Sequence, residues 1–153
     1  MKHEDRTYYI LQAEFNSTKG EFMIEVNWGN PEKNIVIWEF FSPWTWNEFY
    51  DAKKQVDVMI DAVSGVVDSI FLTTVDQKIP PNAIGNFQNI IGNRHERHDL
   101  IVLVGSKSFL SALLNVVVKW IPGASSQFRY VHSQEEAYNI IAKAQDDRRQ
   151  NNG

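Results

Sequence analysis

The chain contains no cysteine, which excludes a disulfide framework, a thiolate nucleophile and any zinc site built on thiolates. Charge of one sign is also scarce: the formal net charge is −4 over 153 residues, without the basic excess that a nucleic-acid footprint requires. Long hydrophobic runs are missing. The longest, around Ile35 to Phe41 and Val116 to Val118, fall far short of the roughly 20 apolar residues of a membrane span. Behind Met1-Lys2-His3-Glu4-Asp5-Arg6 no apolar stretch of signal-peptide type follows, so a cytoplasmic protein is expected. Proline and glycine form no linker or low-complexity block, and no internal repeat is visible, so one domain over residues 1–145 is expected, with residues 146–153 as a polar, fraying tail.

Several catalytic patterns are missing as well. There is no Gly-x-Ser-x-Gly elbow. Ser42-Pro43-Trp44 lacks the glycines of a dinucleotide-binding turn, and Phe40-Phe41-Ser42 lacks the clustered acids of a phosphoryl receiver. No cofactor is expected.

What is present is a patterned apolar framework. At 43% apolar and 22% charged residues, the chain has the composition of a globular domain with a sizeable core. Thr7 to Phe15 and Glu21 to Trp28 alternate with period two around the polar loop Asn16-Ser17-Thr18-Lys19-Gly20, which predicts a hairpin. In the second of these, Phe22, Ile24, Val26 and Trp28 share one face, and Glu21, Met23, Glu25 and Asn27 are expected on a solvated one. Ile35-Val36-Ile37-Trp38-Glu39-Phe40-Phe41 reads as a strand covered on both sides. Thr45 and Glu48 give a capping box ahead of Phe49, Ala52, Val56, Met59, Ile60 and Val63 at helical spacing, ended by Ser64-Gly65. Val66 to Val75, Leu100 to Val104 and Phe128 to Val131 read as further strands. Helices are predicted after Pro80-Pro81-Asn82 (Ile84, Phe87, Ile90, Ile91), after Gly105-Ser106 (Phe109, Leu113, Val116, Val117, Trp120) and after the capping box of Ser133 and Glu136 (Ala137, Ile140, Ile141, Ala144). The fold class is therefore α/β, a mixed, mostly parallel sheet with an N-terminal antiparallel hairpin and four helices.

This order of elements resembles the STAS domain, the fold of the anti-sigma-factor antagonists. Local phrases are similar to those of small bacterial proteins of that superfamily: Phe41-Ser42-Pro43-Trp44-Thr45-Trp46, Ile79-Pro80-Pro81-Asn82-Ala83, Val104-Gly105 before Phe109, Trp120-Ile121-Pro122-Gly123 and Ser133-Gln134-Glu135-Glu136-Ala137-Tyr138. The likeness covers about Phe22 to Ala144, with Thr7 to Phe15 as an addition. It implies a protein-binding, regulatory module. It does not carry over the kinase-operated switch, because Pro80-Pro81-Asn82-Ala83-Ile84-Gly85 stands where the family has its phosphorylated serine, and no hydroxyl residue is present there.

The chemical candidates divide as follows. Arg94-His95-Glu96-Arg97-His98 has histidines three apart, not the four of a zinc-protease helix, and reads as a solvated loop at a helix end. Gly105-Ser106-Lys107-Ser108 lacks the leading glycine of a phosphate-binding loop and reads as a helix cap, with anion binding as the other option. Glu39 is the one acid in an apolar strand and the least poor candidate for a general acid or base. Asp57 and Asp61 read as solvated face. Trp44 and Trp46 serve as core plug or as binding surface. The expected partner is another protein, met on a surface formed by Trp44, Trp46, Pro80, Pro81, Asn82 and Ser106. A small-molecule or lipid-binding domain lined by the bulky aromatics is the alternative, and self-association through the N-terminal edge strand is a further one.

Overall fold

The computed structural model describes residues 22–73, 78–108 and 127–152, together with residues 111, 112, 115 and 119. The strand expected over Thr7 to Phe15 and its loop lie outside the described residues. So does most of the helix expected through Phe109 and Trp120.

A tight polar turn starts the sheet. Strand β1 (Ile24–Trp28) and strand β2 (Ile35–Phe40) pair antiparallel, with Ile24 opposite Phe40 and Trp28 opposite Val36. Between them the Asn30 side chain accepts from the amides of Asn34 and Ile35, both at 3.2 Å. Gly29 is required by close approach: a Cβ there would lie 2.9 Å from Ile37 Cγ1. This β1–β2 pair supplies the antiparallel element of the described sheet.

The remaining strands are parallel. β3 (Val67–Thr73), β4 (His98–Val104) and β5 (Phe128–Val131) follow β2 in the simple order β1-β2-β3-β4-β5. Each crossover steps one strand in the same direction, so right-handed connections put their helices on one face. There lie α1 (Trp46–Asp61) and α2 (Ala83–Gly92), packed with Val36, Trp38, Phe40, Val67, Phe71, Ile101 and Leu103. α3 (Gln134–Asn152) comes after the last strand and covers the opposite face, against Ile35, Ile37, Ile70, Leu100, Val102 and Val131. Strand β2 thus faces a helix layer on each side, which is why its sequence is nearly all apolar.

Capping chemistry sets the ends of α1. Glu48 N–H donates to Thr45 Oγ1 at 3.2 Å, and Thr45 N–H donates to Glu48 Oε1 at 3.1 Å. Phe49, Ala52, Val56 and Ile60 form its buried stripe. Past the other end, the Arg97 guanidinium donates to the carbonyls of Ile60, Val63 and Gly65, each at 2.9 Å. Side-chain donors from a distant loop thereby fasten the last turn of α1 and the turn that follows it.

Four departures from the sequence reading stand out. Among the described residues there are three helices, not four. The face of β1 expected in solvent is largely covered, with Glu25 buried. His98, read as part of a solvated loop, is the buried first residue of β4. And α3 runs on to Asn152 through the segment read as a fraying tail, because its last turns are fastened to the sheet by Arg148.

Candidate functional site

The residues expected to form a binding surface come from loops at the carboxyl ends of the parallel strands. Trp44, between β2 and α1, is buried and meets Phe40 edge-on, with ring centroids 5.4 Å apart. Trp46 opens α1 and stands perpendicular to both Trp44 and Phe87, at 5.1 Å from each. Its Nε1–H donates to the Pro81 carbonyl at 2.7 Å. Both tryptophans therefore act as packing groups. Trp46 also clamps the segment before α2 to the start of α1.

That clamp defines what remains outside. Pro80 is half-buried, while Pro81, Asn82 and Ile84 are exposed. Asn82 adopts a left-handed backbone (φ 68°) at the N-terminus of α2, with no side-chain capping bond. A second polar tie, Tyr50 Oη donating to Asn86 Oδ1 at 2.7 Å, holds α2 against α1. Ser106 lies just past β4, its Oγ 3.4 Å from Ser108 Oγ. The Gly105 amide, a candidate anion donor in the sequence, instead donates to Val131 O at 3.4 Å.

A second constellation was not foreseen in the sequence. On the α1/α2 face, Trp38 Nε1–H donates to Ser69 Oγ at 3.0 Å, and Ser69 Oγ lies 2.6 Å from His98 Nε2. Indole N–H can only donate. The 2.6 Å contact forms with either tautomer, the Ser69 hydroxyl donating to an unprotonated His98 Nε2 or Nε2–H donating to Ser69 Oγ. Burial, then the cations Arg94, Lys53 and His95, push the His98 pKa down to about 3.

A serine 2.6 Å from a histidine invites comparison with a nucleophile and its base. Two observations argue against it. Ser69 is completely buried, so no substrate reaches its oxygen. A general base works best with a pKa near the operating pH, and His98 sits well below that. Trp38, Ser69 and His98 form a polar tie within the core.

Beside it lies a hollow of about 30 Å³, walled mainly by apolar groups such as Trp38, Phe49, Phe71 and Ile101 and reached by Lys53, Asp57, Arg94 and Gln127. Lys53 and Asp57 pair at 2.9 Å. Arg94 Nη1 and Gln127 Oε1 are buried without a hydrogen-bond partner.

On the α3 face, Asp68 is fully buried. It accepts from Arg148 through both carboxylate oxygens, at 2.6 and 3.0 Å, and its Oδ1 also takes the Leu100 amide at 2.9 Å. That amide belongs to a bulge: His98 pairs with Val67 and Ile101 with Ser69, so β4 spends three residues where β3 spends two. Arg148 Nε reaches Asp99 at 3.0 Å. Burial works against the Arg148 charge, but the bonds and charges of Asp68 and Asp99 outweigh it and raise its pKa.

The other candidates have structural partners. His95 bonds Asp61 Oδ1 at 2.8 Å, so Asp61 and Asp57 both have partners. Glu39 is half-buried, directly across the β1–β2 pair from Glu25, a second acid that the sequence did not bring to it. Among the described residues no three His, Asp or Glu side chains are placed to hold a metal ion, and no helix is long and apolar enough to cross a membrane.

No protein-family model, curated protein or solved structure matches this chain.

Proposed function

We propose that the chain is a non-enzymatic protein-interaction module, regulatory in the manner of the STAS domain it resembles but without the phosphorylatable serine. The observation that carries this reading is the loop pinned before α2. Trp46 Nε1–H fixes the Pro81 carbonyl, while Pro81, Asn82 and Ile84 remain exposed beside it. A loop held in one shape before binding loses little freedom on docking, which favours affinity. Asn82 stands at the helix start where the family's switch serine would be, so docking here does not depend on phosphorylation.

The apolar-ligand alternative receives less support. The hollow within the aromatic layer holds about 30 Å³, against the ~300 Å³ or more of typical small-molecule sites. Two larger clefts, of about 440 and 390 Å³, flank α3. Their walls carry Asp99, Arg129, Lys143, Asp147 and Arg148 on one side, and Asn30, Glu32, Asn34 and Arg149 on the other. Walls this polar do not suit a lipid.

The test is an affinity capture from the native cell with the wild-type chain and with Asn82→Arg/Ile84→Asp in parallel, after checking that both have the same circular dichroism. A partner retained by the wild type and lost by the double variant supports the reading. Equal retention by both, or no specific partner, contradicts it.

A further inference from the structure

The segment between α2 and β4 carries a histidine whose two ring nitrogens face opposite demands. The Arg97 amide donates to His95 Nδ1 at 3.1 Å. A backbone N–H can only donate, so Nδ1 carries no hydrogen and the ring is neutral, with its hydrogen on Nε2. That nitrogen lies 2.8 Å from Asp61 Oδ1 and donates to it. The His95 side chain is mostly covered, whereas Asp61 is open to solvent.

The neutral ring holds more than itself. Arg97 fastens the carbonyls of Ile60, Val63 and Gly65 through its guanidinium, and its own carbonyl accepts from the Val67 amide at 2.8 Å. The His95 carbonyl accepts from the His98 amide at 3.0 Å. The end of α1, the start of β3 and the start of β4 therefore meet around Arg97. His95 Nδ1 is the acceptor that fixes the amide of that residue.

Protonation changes one side of this arrangement only. A second ring hydrogen goes to Nδ1, where it faces the Arg97 N–H, two donors with no acceptor between them. Nε2–H keeps Asp61 and binds it more strongly, because the pair becomes charged. The ring stays on α1, while the Arg97 N–H loses its acceptor and turns toward water. Histidine is the side chain that ordinarily makes this change between about pH 5 and 8. The charged groups around the ring are Asp61 on α1, with the Asp57–Lys53 pair one turn earlier, then Arg94, Glu96 and Arg97 on its own segment, and His98 on β4. Gly65, Val66 and Val67 bring none.

We propose that His95 is a proton-operated latch: neutral, it locks Arg97 into the junction of α1, β3 and β4, and protonated, it releases the Arg97 amide and loosens that junction. The latch lies past the C-terminal end of α2, whereas the exposed surface around Asn82 lies at its start, and neither proposal depends on the other.

NMR between about pH 7.5 and 5.5 tests it. The four histidines are told apart by ring-to-backbone correlations. At the upper end of the range, the imidazole ¹⁵N signals of His95 should show Nδ1 without a hydrogen and Nε2 with one. As the ring takes up its proton, the Arg97 amide signal should move with the same midpoint. Protection from hydrogen exchange, corrected for the pH dependence of the chemical step, should fall about three- to tenfold at Arg97 and Val67 and stay level within β2. In His95→Asn the carboxamide oxygen can take the Arg97 N–H and does not titrate, so both responses should vanish. Asp61→Asn changes an exposed residue and keeps an acceptor for Nε2–H without the charge. The Arg97 midpoint should then move to lower pH, a result that does not depend on His95→Asn folding. A hydrogen on Nδ1 at the upper end, an Arg97 amide that ignores the His95 titration, the same response in His95→Asn, or a midpoint unmoved by Asp61→Asn would overturn the proposal.

Discussion

Arg148 and Asp68 form a two-point ion pair across 80 residues of sequence, joining the last turns of α3 to a fully buried carboxylate at the start of β3. One guanidinium thereby ties down a helix end whose own residues offer little apolar surface. Its removal would leave Asp68 charged, buried and holding only the Leu100 amide. Arg148→Met should therefore cost roughly 3–5 kcal/mol in urea unfolding. Adding Asp68→Asn should recover part of that loss, because no charge then remains to be buried.

The His98 environment gives stability a specific pH dependence. Its folded pKa is about 3, below the ordinary 6.5, so the unfolded chain takes up a proton that the folded one refuses between those values. This contribution is fully present above about pH 6.5 and is lost as pH falls toward 3, at up to about 1.4 kcal/mol per pH unit. Urea midpoints of wild type and His98→Asn, compared between pH 7 and 5, should converge as the pH is lowered. Parallel curves would contradict the assignment.

The clamp on the 80–82 segment can be released without disturbing the core. Trp46→Phe keeps an aromatic ring against Trp44 and Phe87 and removes only the bond to Pro81 O. A stability loss of about 0.5–1.5 kcal/mol is expected. Hydrogen exchange of the amides from Asn82 to Asn86 should accelerate more than exchange within β2 or β3.

Local signals in the sequence specified the elements that depend on local chemistry. The capping box of Thr45 and Glu48, the apolar stripe of α1, the two-sided strand β2 and the short strand β5 follow from propensity and periodicity within a few residues. Contacts between distant segments were not legible. His98 looked like part of a polar loop because its partner Ser69 is 29 residues away, and the β4 bulge that admits it leaves no pattern of its own. The last turns of α3 carry no apolar period after Ala144; the partnership of Arg148 with Asp68 and Asp99 ties them to the sheet, and Arg149 pairs with Asp146 within the helix. Trp44 and Trp46, which the sequence leaves open as core plug or binding surface, pack against Phe40 and Phe87. The surface falls instead to Pro81, Asn82 and their neighbour Ile84, which the sequence reading had given to the core side of its helix.

Arg97 offers a check on how the Arg94–His98 segment is used. Arg97→Gln should unfasten the carbonyls of Ile60, Val63 and Gly65 and destabilise the chain by about 1–3 kcal/mol. Exchange protection should fall first in the last turn of α1. Zinc added to the wild type should leave its melting temperature unchanged, since neither His95 nor His98 is available as a ligand.

Site-specific photocrosslinking tests the interaction reading most directly. A benzophenone amino acid placed at position 84 lies on the surface beside the pinned loop, and at position 58 it occupies a still more exposed apolar position on α1. In the native cell, position 84 should yield one discrete protein adduct that position 58 does not. No adduct from position 84, or the same products from both positions, would contradict the account.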